Sequence, residues 1–194
     1  DPLGIARRSL IERLRQAGRL EDAILEATFL CGQAGDQAET WTQLAELHLM
    51  AGQTDRALQA LKDGMEQVDP NRTEDLVLRH AIIEIGRGRR EEGIERLEAF
   101  ADARPDAVRV RAALLEQEEI RADPIRAQTL VDQMRQAEGE SGLLWRLHQA
   151  RLWLDAVDAI DRQQEVADLL GLCIAADPQW ARPVLLLGAM YEHF

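Results

Sequence analysis

The sequence is poor in aromatic residues, cysteine and lysine. Aromatic side chains make up 4% of its 194 residues, Lys62 is the only lysine, and Cys31 and Cys173 are the only cysteines. Two thiols so far apart in sequence form neither a metal-binding motif nor a disulfide framework, and they fit small buried apolar residues. No apolar run approaches the ~20 residues that a membrane span needs, so we expect no transmembrane helix.

Signatures of catalysis and of cofactor binding are also missing from the sequence. It has no CxxC, Walker loop, GxSxG or GxGxxG motif, and its histidines form no HExxH arrangement. The glutamate pairs at 91–92 and 118–119 are read as solvated helix faces rather than as general acid–base pairs. We therefore expect that the protein is not an enzyme and that it uses no cofactor and no metal.

Charge and composition narrow the class of protein further. The formal net charge is −12, which argues against nucleic acid as a partner because phosphates would be repelled. Hydrophobic residues make up 46% and charged residues 30%, a composition typical of soluble globular proteins rather than of disordered ones. The sequence shows no signal peptide, so a cytoplasmic location is favoured. The chain begins at Asp1 rather than Met, and a removed targeting segment therefore stays open.

The clearest pattern in the sequence lies in residues 38–71. Gly52 ends a first helix, and a second helix then runs to a stop at Pro70. Thr54 is expected to cap the second helix, and Thr40 with Gln43 is expected to form a capping box for the first. The residues that share one face of each predicted helix recur at helical spacing, and they are Trp41, Leu44, Ala45, His48, Ala57 and Leu61.

This pattern resembles the tetratricopeptide (TPR) repeat, a helix–turn–helix unit of about 34 residues with the pattern W-x2-L-G-x2-Y…A-x3-F…P. Trp41, Leu44 and Ala57 occupy motif positions, whereas Ala45 replaces the usual Gly and His48 the usual Tyr. Small residues at positions 45 and 57 let the two helices approach closely. One helix pair cannot bury its own apolar face, so such repeats stack on their neighbours.

The same landmarks recur at the period of the family. Gly18 to Gly52 is 34 residues, and Gly52 to Gly88 is 36. Further turns are expected near Ala122 and Asp161, with helix caps at Asp123 and Asp161. We therefore predict an all-α fold, a right-handed superhelical solenoid of TPR-like repeats in one domain over residues 1–194. The approximate repeats are 4–37, 38–71, 73–106, 107–138 and 143–178, followed by a half-repeat at 181–194.

Two details of the predicted repeats concern the core. In the first repeat, Leu10, Ile11 and Leu14 are expected to point inward. In the third repeat the register of the first helix is uncertain by one residue, because a strict alignment places His80 and Glu84 at positions that are normally apolar.

The resemblance implies a binding surface, because the first helix of each TPR repeat lines a concave groove that commonly holds a peptide or a protein. The Asn- and Lys-based clamp that some family members use for C-terminal carboxylates is absent, since Thr42, Glu46 and Leu49 stand in its place. The groove positions of the family correspond here to Ile5, Arg8, Glu12, Arg15, Glu39, Thr42, Glu46, Leu49, Met50, Asp75, Leu78, Ile82, Arg109, Ala112 and Glu116.

These groove residues predict a partner with both apolar and basic side chains. Apolar contact is expected from Leu49, Met50, Leu78 and Ile82. Positive charge would be attracted by Glu39, Glu46, Asp75 and Glu116. For any single groove residue, a merely solvent-facing helix position is an equally good interpretation.

Residues 181–194 form a half-repeat without a partner helix. This segment contains four consecutive apolar residues at 184–187, so apolar side chains point in every direction around the helix. We expect it to pack on a second copy, which gives a homo-oligomer, through Leu185, Leu186, Met190 and Phe194.

The sequence therefore predicts a non-catalytic scaffold for protein–protein interaction. One alternative is the recruiting repeat portion of a larger enzyme, such as a glycosyl- or sulfo-transferase, which the reading frame beyond Phe194 would reveal. Another is a structural repeat that assembles with its own copies, which sedimentation would reveal. The support for all three rests on resemblance of fold.

Overall fold

The computed structural model describes the backbone of residues 2–193 and the side chains of residues 4–192. Within these residues it has twelve α-helices, two short 3₁₀ helices at Pro70–Arg72 and Ala159–Arg162, and no strand, which confirms the all-α prediction. The α-helices are α1 (Pro2–Gln16), α2 (Leu20–Gln33), α3 (Ala38–Met50), α4 (Thr54–Gln67), α5 (Glu74–Gly86), α6 (Arg90–Ala103), α7 (Val108–Leu115), α8 (Glu118–Arg121), α9 (Pro124–Glu138), α10 (Leu144–Asp155), α11 (Gln163–Ala176) and α12 (Ala181–His193).

The chain divides into two compact units, the N-terminal unit (residues 1–96) and the C-terminal unit (residues 97–194). Neighbouring helices pack in pairs within each unit, as α1 with α2, α3 with α4, α7 with α9 and α10 with α11. The core of the N-terminal unit includes Ile11, Ala27, Leu44, Leu61 and Leu76, all at most 5% exposed. The core of the C-terminal unit includes Leu147, Ala150, Val166, Leu170 and Met190. That residues 1–194 form one repeat domain stays a prediction.

The predicted turn between the two helices of a pair lies at glycine. Gly52 has a φ of 72°, and Gly18 and Gly88 have φ values of 72° and 85°. A residue with a Cβ atom rarely adopts this left-handed conformation, and glycine adopts it without strain. The regular glycine spacing in the sequence therefore marks a real conformational requirement.

The motif position of Trp41 is filled by tryptophan in two repeats and by arginine in a third. Trp41 Nε1 donates a 2.9 Å hydrogen bond to the carbonyl of Gly35, and Trp145 Nε1 donates a 3.0 Å bond to that of Gly139. Arg111, which stands at the equivalent position of the fourth predicted repeat, is 4% exposed. Its guanidinium donates to the main-chain carbonyls of Ala101, Arg104 and Ala107. All three side chains satisfy carbonyls in the turn that precedes their helix.

The predicted helix caps had mixed outcomes. Asp123 caps α9 as expected, because its carboxylate accepts from the backbone N–H groups of Ile125 and Arg126 and Pro124 begins the helix. The other three caps are wrong. Helix α3 begins at Ala38, two residues before Thr40, α4 begins at Thr54 itself, and α11 begins after Asp161. In all three cases the residue at the N-cap position differs from the one chosen by capping preference, and it is Gln37, Gln53 or Arg162.

The structure also tests two predictions about which residues are buried. Leu10 is 43% exposed, so the expectation that it points inward is wrong, whereas Ile11 is fully buried and Leu14 is 9% exposed. In the third repeat the strict alignment is correct, since His80 is 6% and Glu84 8% exposed. Glu84 Oε2 lies 2.5 Å from Nε of Arg89 in an ion pair, although this oxygen accepts no hydrogen bond within the described residues.

Candidate functional site

Most of the predicted groove residues lie on α1, α3 and α5 of the N-terminal unit. Five of them meet around one open depression of about 390 Å³: Arg8, Glu39, Thr42, Glu46 and Asp75. Beside it, Thr42, Glu46, Leu49 and Ile82 line a smaller depression of about 210 Å³ with a mainly apolar wall. We call the combined surface the N-terminal groove face, and it consists of the residues that line these two depressions.

Arg79 is the charged residue of this face that the sequence did not predict. It lines both depressions and forms a 2.7 Å ion pair with Glu46. Helical spacing could have found it, because Arg79 lies four residues after Asp75 and three before Ile82. Its charge offsets that of Glu46, so the face is less acidic than the predicted set alone implies.

Other predicted groove residues are already engaged or buried. Glu12 accepts hydrogen bonds of 2.8 and 2.6 Å from Arg15, and these bonds lower the pKa of the Glu12 carboxyl. Leu78 is 7% exposed and therefore belongs to the core, although Thr42 at the same motif position is half-buried. Leu78 therefore does not line the groove.

Apolar residues on this face and beside it are exposed. Leu49 is 39%, Met50 51% and Ile82 60% exposed. Ile5, at the corresponding side of α1, is 68% exposed. Isolated exposed apolar residues are common, but these lie on neighbouring first helices of the pairs, beside the charged depression.

The three remaining groove residues lie on α7 or at its end in the C-terminal unit. Arg109 is exposed, Ala112 is half-buried, and Glu116 is held by two arginines. Glu116 Oε2 accepts a 3.0 Å bond from Arg151 Nη1, and Glu116 Oε1 accepts a 2.5 Å bond from Arg182 Nη2. Burial opposes ionisation of Glu116, but the two arginines outweigh it and lower the pKa of the carboxyl. The negative charge of Glu116, which was predicted to attract a basic partner, is therefore already paired with arginines of the same chain.

These charged groups stand at the rim of a cavity between α7, α10 and α12, which we call the C-terminal cavity. Its volume is about 300 Å³ and its wall is mainly apolar, with Leu147, Leu185, Leu186 and Ala189. Sequence reasoning missed Arg182 and Ala189 and assigned Leu185 to another role. The repeat pattern could have identified these three residues. Counted from Val184, they stand at the same motif positions as Glu39, Thr42 and Glu46 do when counted from Trp41.

His148 completes the wall of the C-terminal cavity. It is 2% exposed, and its Nε2 has no hydrogen-bond partner among the described residues. Burial lowers its pKa to about 4, assisted by the positive charges of Arg182, Arg151 and Arg121 and opposed by Glu116. The imidazole is therefore neutral at pH 7.

The residues predicted for self-association are divided by the structure. Leu185 is 70% exposed and Leu186 is half-buried on α12. Met190 is 3% exposed and packs in the core with Leu147, Val166 and Leu170, so the expectation that it is exposed is wrong. Phe194 lies outside the described residues.

The remaining reactive groups are structural. Cys31 and Cys173 are buried free thiols, and burial raises the pKa of Cys31 to about 12. Over residues 4–192, His, Cys, Asp and Glu side chains form no cluster that could hold a metal ion. In the same part of the chain, no helix has the length and the apolar character of a membrane span.

Comparison with known proteins gives the fold. No protein-family model matches the sequence, and no curated protein matches it. The structure is similar to that of pilF from Pseudomonas aeruginosa, with a TM-score of 0.63, 17% identity and coverage of 99% of this chain and 86% of that chain. It is also similar to TTC0263, a TPR protein of Thermus thermophilus, with a TM-score of 0.61, 15% identity and coverage of 97% and 99%.

A third similar structure is that of YrrB, a TPR protein, with a TM-score of 0.50 and 8% identity. The match covers 93% of this chain and 90% of the YrrB chain. At such identities a likeness shows the fold alone, and here it agrees with the helix pairs, the glycine turns and the residues at the Trp position. The chain therefore has the TPR-like helical repeat fold that its sequence resembles.

Proposed function

We propose that the protein is a non-catalytic interaction scaffold whose N-terminal groove face binds a segment of a partner protein with apolar and basic side chains. The observation that carries this proposal is the placement of exposed apolar residues, Leu49 and Ile82, beside the carboxylates of Glu39, Glu46 and Asp75. YrrB, one of the structural neighbours, is described as having an unusual peptide-binding site, which is consistent with a binding role for this fold.

The charges of the face favour a modest electrostatic contribution. Arg8 and Arg79 lie among the three carboxylates of the larger depression, which leaves a formal excess of one negative charge at its wall. Charge complementarity of this size acts mainly on the association rate and on its salt dependence. Apolar contact with Leu49 and Ile82 would supply most of the affinity.

The test uses a phage library that displays random twelve-residue peptides, selected on the whole chain. Peptides that bind the N-terminal groove face should combine apolar residues with Lys or Arg. The double variant Glu46→Lys with Asp75→Lys should weaken their binding at least tenfold, measured by fluorescence polarisation, because both acidic contacts become repulsive.

The matched control reverses two exposed glutamates on second helices of the pairs, Glu66→Lys on α4 and Glu95→Lys on α6. This variant has the same net charge as the groove variant, and it should bind the selected peptides within twofold of the original chain. Equal affinity of the groove variant and the original chain would show that the groove assignment is wrong.

A further inference from the structure

The C-terminal cavity differs in charge from the N-terminal groove face. Two guanidinium groups, of Arg151 and Arg182, converge on the single carboxylate of Glu116 at its rim. His148 is neutral at pH 7, so these groups leave an excess of one positive charge. This local excess occurs in a chain with a net charge of −12, and it therefore reflects a particular placement of residues rather than overall composition.

The two arginines also retain donors for a ligand. Each guanidinium carries five N–H donors, and Glu116 accepts one bond from each. The side chains of Arg182 and Arg151 are 53% and 33% exposed, so their remaining donors can reach a molecule in the cavity mouth. Glu116 thus holds the two arginines side by side, and such a pair suits a second carboxylate.

The wall below the arginines suits an apolar side chain. Leu147 and Leu186 line the cavity with Leu185, which is 70% exposed. A volume of about 300 Å³ accommodates one large aliphatic or aromatic side chain with room to spare. The unpartnered Nε2 of His148, almost fully buried in this wall, provides a polar atom whose hydrogen bond is unmade.

We propose that the C-terminal cavity is a second docking site, which takes an internal peptide segment of a partner protein in which a large apolar side chain stands next to Asp or Glu. The apolar side chain enters between α10 and α12, and the neighbouring side-chain carboxylate binds Arg182 and Arg151. Charge complementarity selects this occupant over a basic one, and it makes the preference of the cavity opposite to that proposed for the N-terminal groove face.

The site would discriminate against basic segments by two effects. A Lys or Arg of the partner would meet two guanidinium groups, and the carboxylate that could offset them is already engaged by both. The proposal rests on the proposed function only in that both concern a protein partner, since no residue is shared by the two sites.

The experiment selects the same phage library of random twelve-residue peptides on the whole chain at 10 µM. Displayed peptides are fused at their C-termini, so only side-chain carboxylates can satisfy the arginines. The selected peptides should include a class with Asp or Glu adjacent to Leu, Ile, Met or Phe. Arg182→Ala should weaken this class about tenfold, as expected for loss of one charge-assisted hydrogen bond.

Two further variants distinguish a specific loss of binding from misfolding. Glu116→Gln removes the competing negative charge and retains a carbonyl acceptor, so it should strengthen binding of the acidic class by at least twofold. Arg126→Ala removes an exposed arginine on α9 that pairs with Glu98, outside the cavity, and it should leave binding within twofold. A damaged fold could produce the loss with Arg182→Ala but not the gain with Glu116→Gln.

Three results would overturn the proposal. They are the absence of an acidic class that depends on Arg182, a cavity-dependent class enriched in basic residues, and occupation of the α12 face by a second copy at 10 µM. Loss of binding in Glu46→Lys with Asp75→Lys concerns only the basic class of peptides. The failure of either proposal can therefore be recognised separately.

Discussion

Buried polar side chains are a prominent feature of this molecule at the scale of the residue. His80, Glu84, Arg111 and His148 are each less than 9% exposed, at places where the resemblance predicts apolar or aromatic residues. Arg111 makes three bonds to main-chain carbonyls and one to Gln133. In contrast, the Nδ1 of His80 has no hydrogen-bond partner among the described residues, so the free-energy cost of burying this atom is not fully offset.

The pH dependence of stability should reflect His80. Burial lowers its pKa to about 4, assisted by the positive charges of Arg96, Arg89 and Lys62. The unfolded chain has the higher pKa, near 6.5, so between these values the unfolded state binds more protons and the free energy of unfolding falls as pH decreases. Each unit of pKa depression corresponds to about 1.4 kcal/mol.

The test is His80→Leu, which places at position 80 the residue type found at the equivalent Leu44. Urea unfolding should show that the variant gains stability relative to the original chain as pH falls from 7.5 to 4.5, and that the difference levels off below pH 4. His148 remains in the variant, so part of the decline in stability should persist. Parallel pH profiles for the two proteins would contradict the assignment.

At the scale of the element, the closeness of paired helices depends on small residues at their crossing. A Cβ atom on Gly93 of α6 would lie 2.6 Å from Ile85 Cγ1 and 2.9 Å from the backbone oxygen of Ala81, both on α5. The equivalent position in α4 is Ala57, which is fully buried without such a conflict. The same motif position thus tolerates a methyl group in one helix pair and excludes it in the next.

Gly93→Ala should therefore lower the free energy of unfolding by roughly 1–3 kcal/mol, because the backbone of α5 cannot move aside cheaply. The matched control is Gly32→Ala in α2, where a Cβ atom would meet nothing within 4 Å. The control should be neutral or stabilising by up to about 1 kcal/mol, since alanine favours helix. Thermal unfolding of both variants measures the difference, and equal melting temperatures would refute the close crossing.

At the scale of the whole molecule, α12 is the element predicted to mediate self-association. Of the residues predicted for self-association, Leu185 is well exposed, Leu186 is half-buried and Met190 is in the core. Each leucine withdrawn from water contributes roughly 1.5–3 kcal/mol, so the few leucines that two copies would bury do little more than offset the ~4–15 kcal/mol of lost freedom that association entails. Self-association through α12 stays a prediction, and we expect the association to be weak.

Sedimentation velocity should show a monomer at 10 µM and, above several hundred micromolar, a minor dimer that Leu185→Asp abolishes. Val184→Asp, at a neighbouring exposed position of α12, tests whether the contact is specific to Leu185. A stable dimer at 10 µM would show that the apolar surface offered by α12 is larger than its described residues indicate.

The helix pairs and their turns could be predicted from the amino-acid sequence without any coordinates. Gly18, Gly52 and Gly88 have positive φ, a local property that spacing alone reveals. The resemblance to the TPR family likewise placed Thr42, Glu46, Leu49 and Ile82 on one surface, because the first helices of regular repeats line the same side. Helix starts were less predictable, since α3, α4 and α11 do not begin where capping residues suggested.

Packing in three dimensions was needed to establish which charges meet and which apolar residues are covered. Arg79 pairs with Glu46 across two helices, and Arg182 reaches Glu116 over 66 residues of sequence. Met190 is buried because α11 and α10 lie against it, although periodicity left it free to face outward. Ion pairs and burial depend on the separation of side chains in space, and a helical period fixes direction around one helix but not the distance to the next.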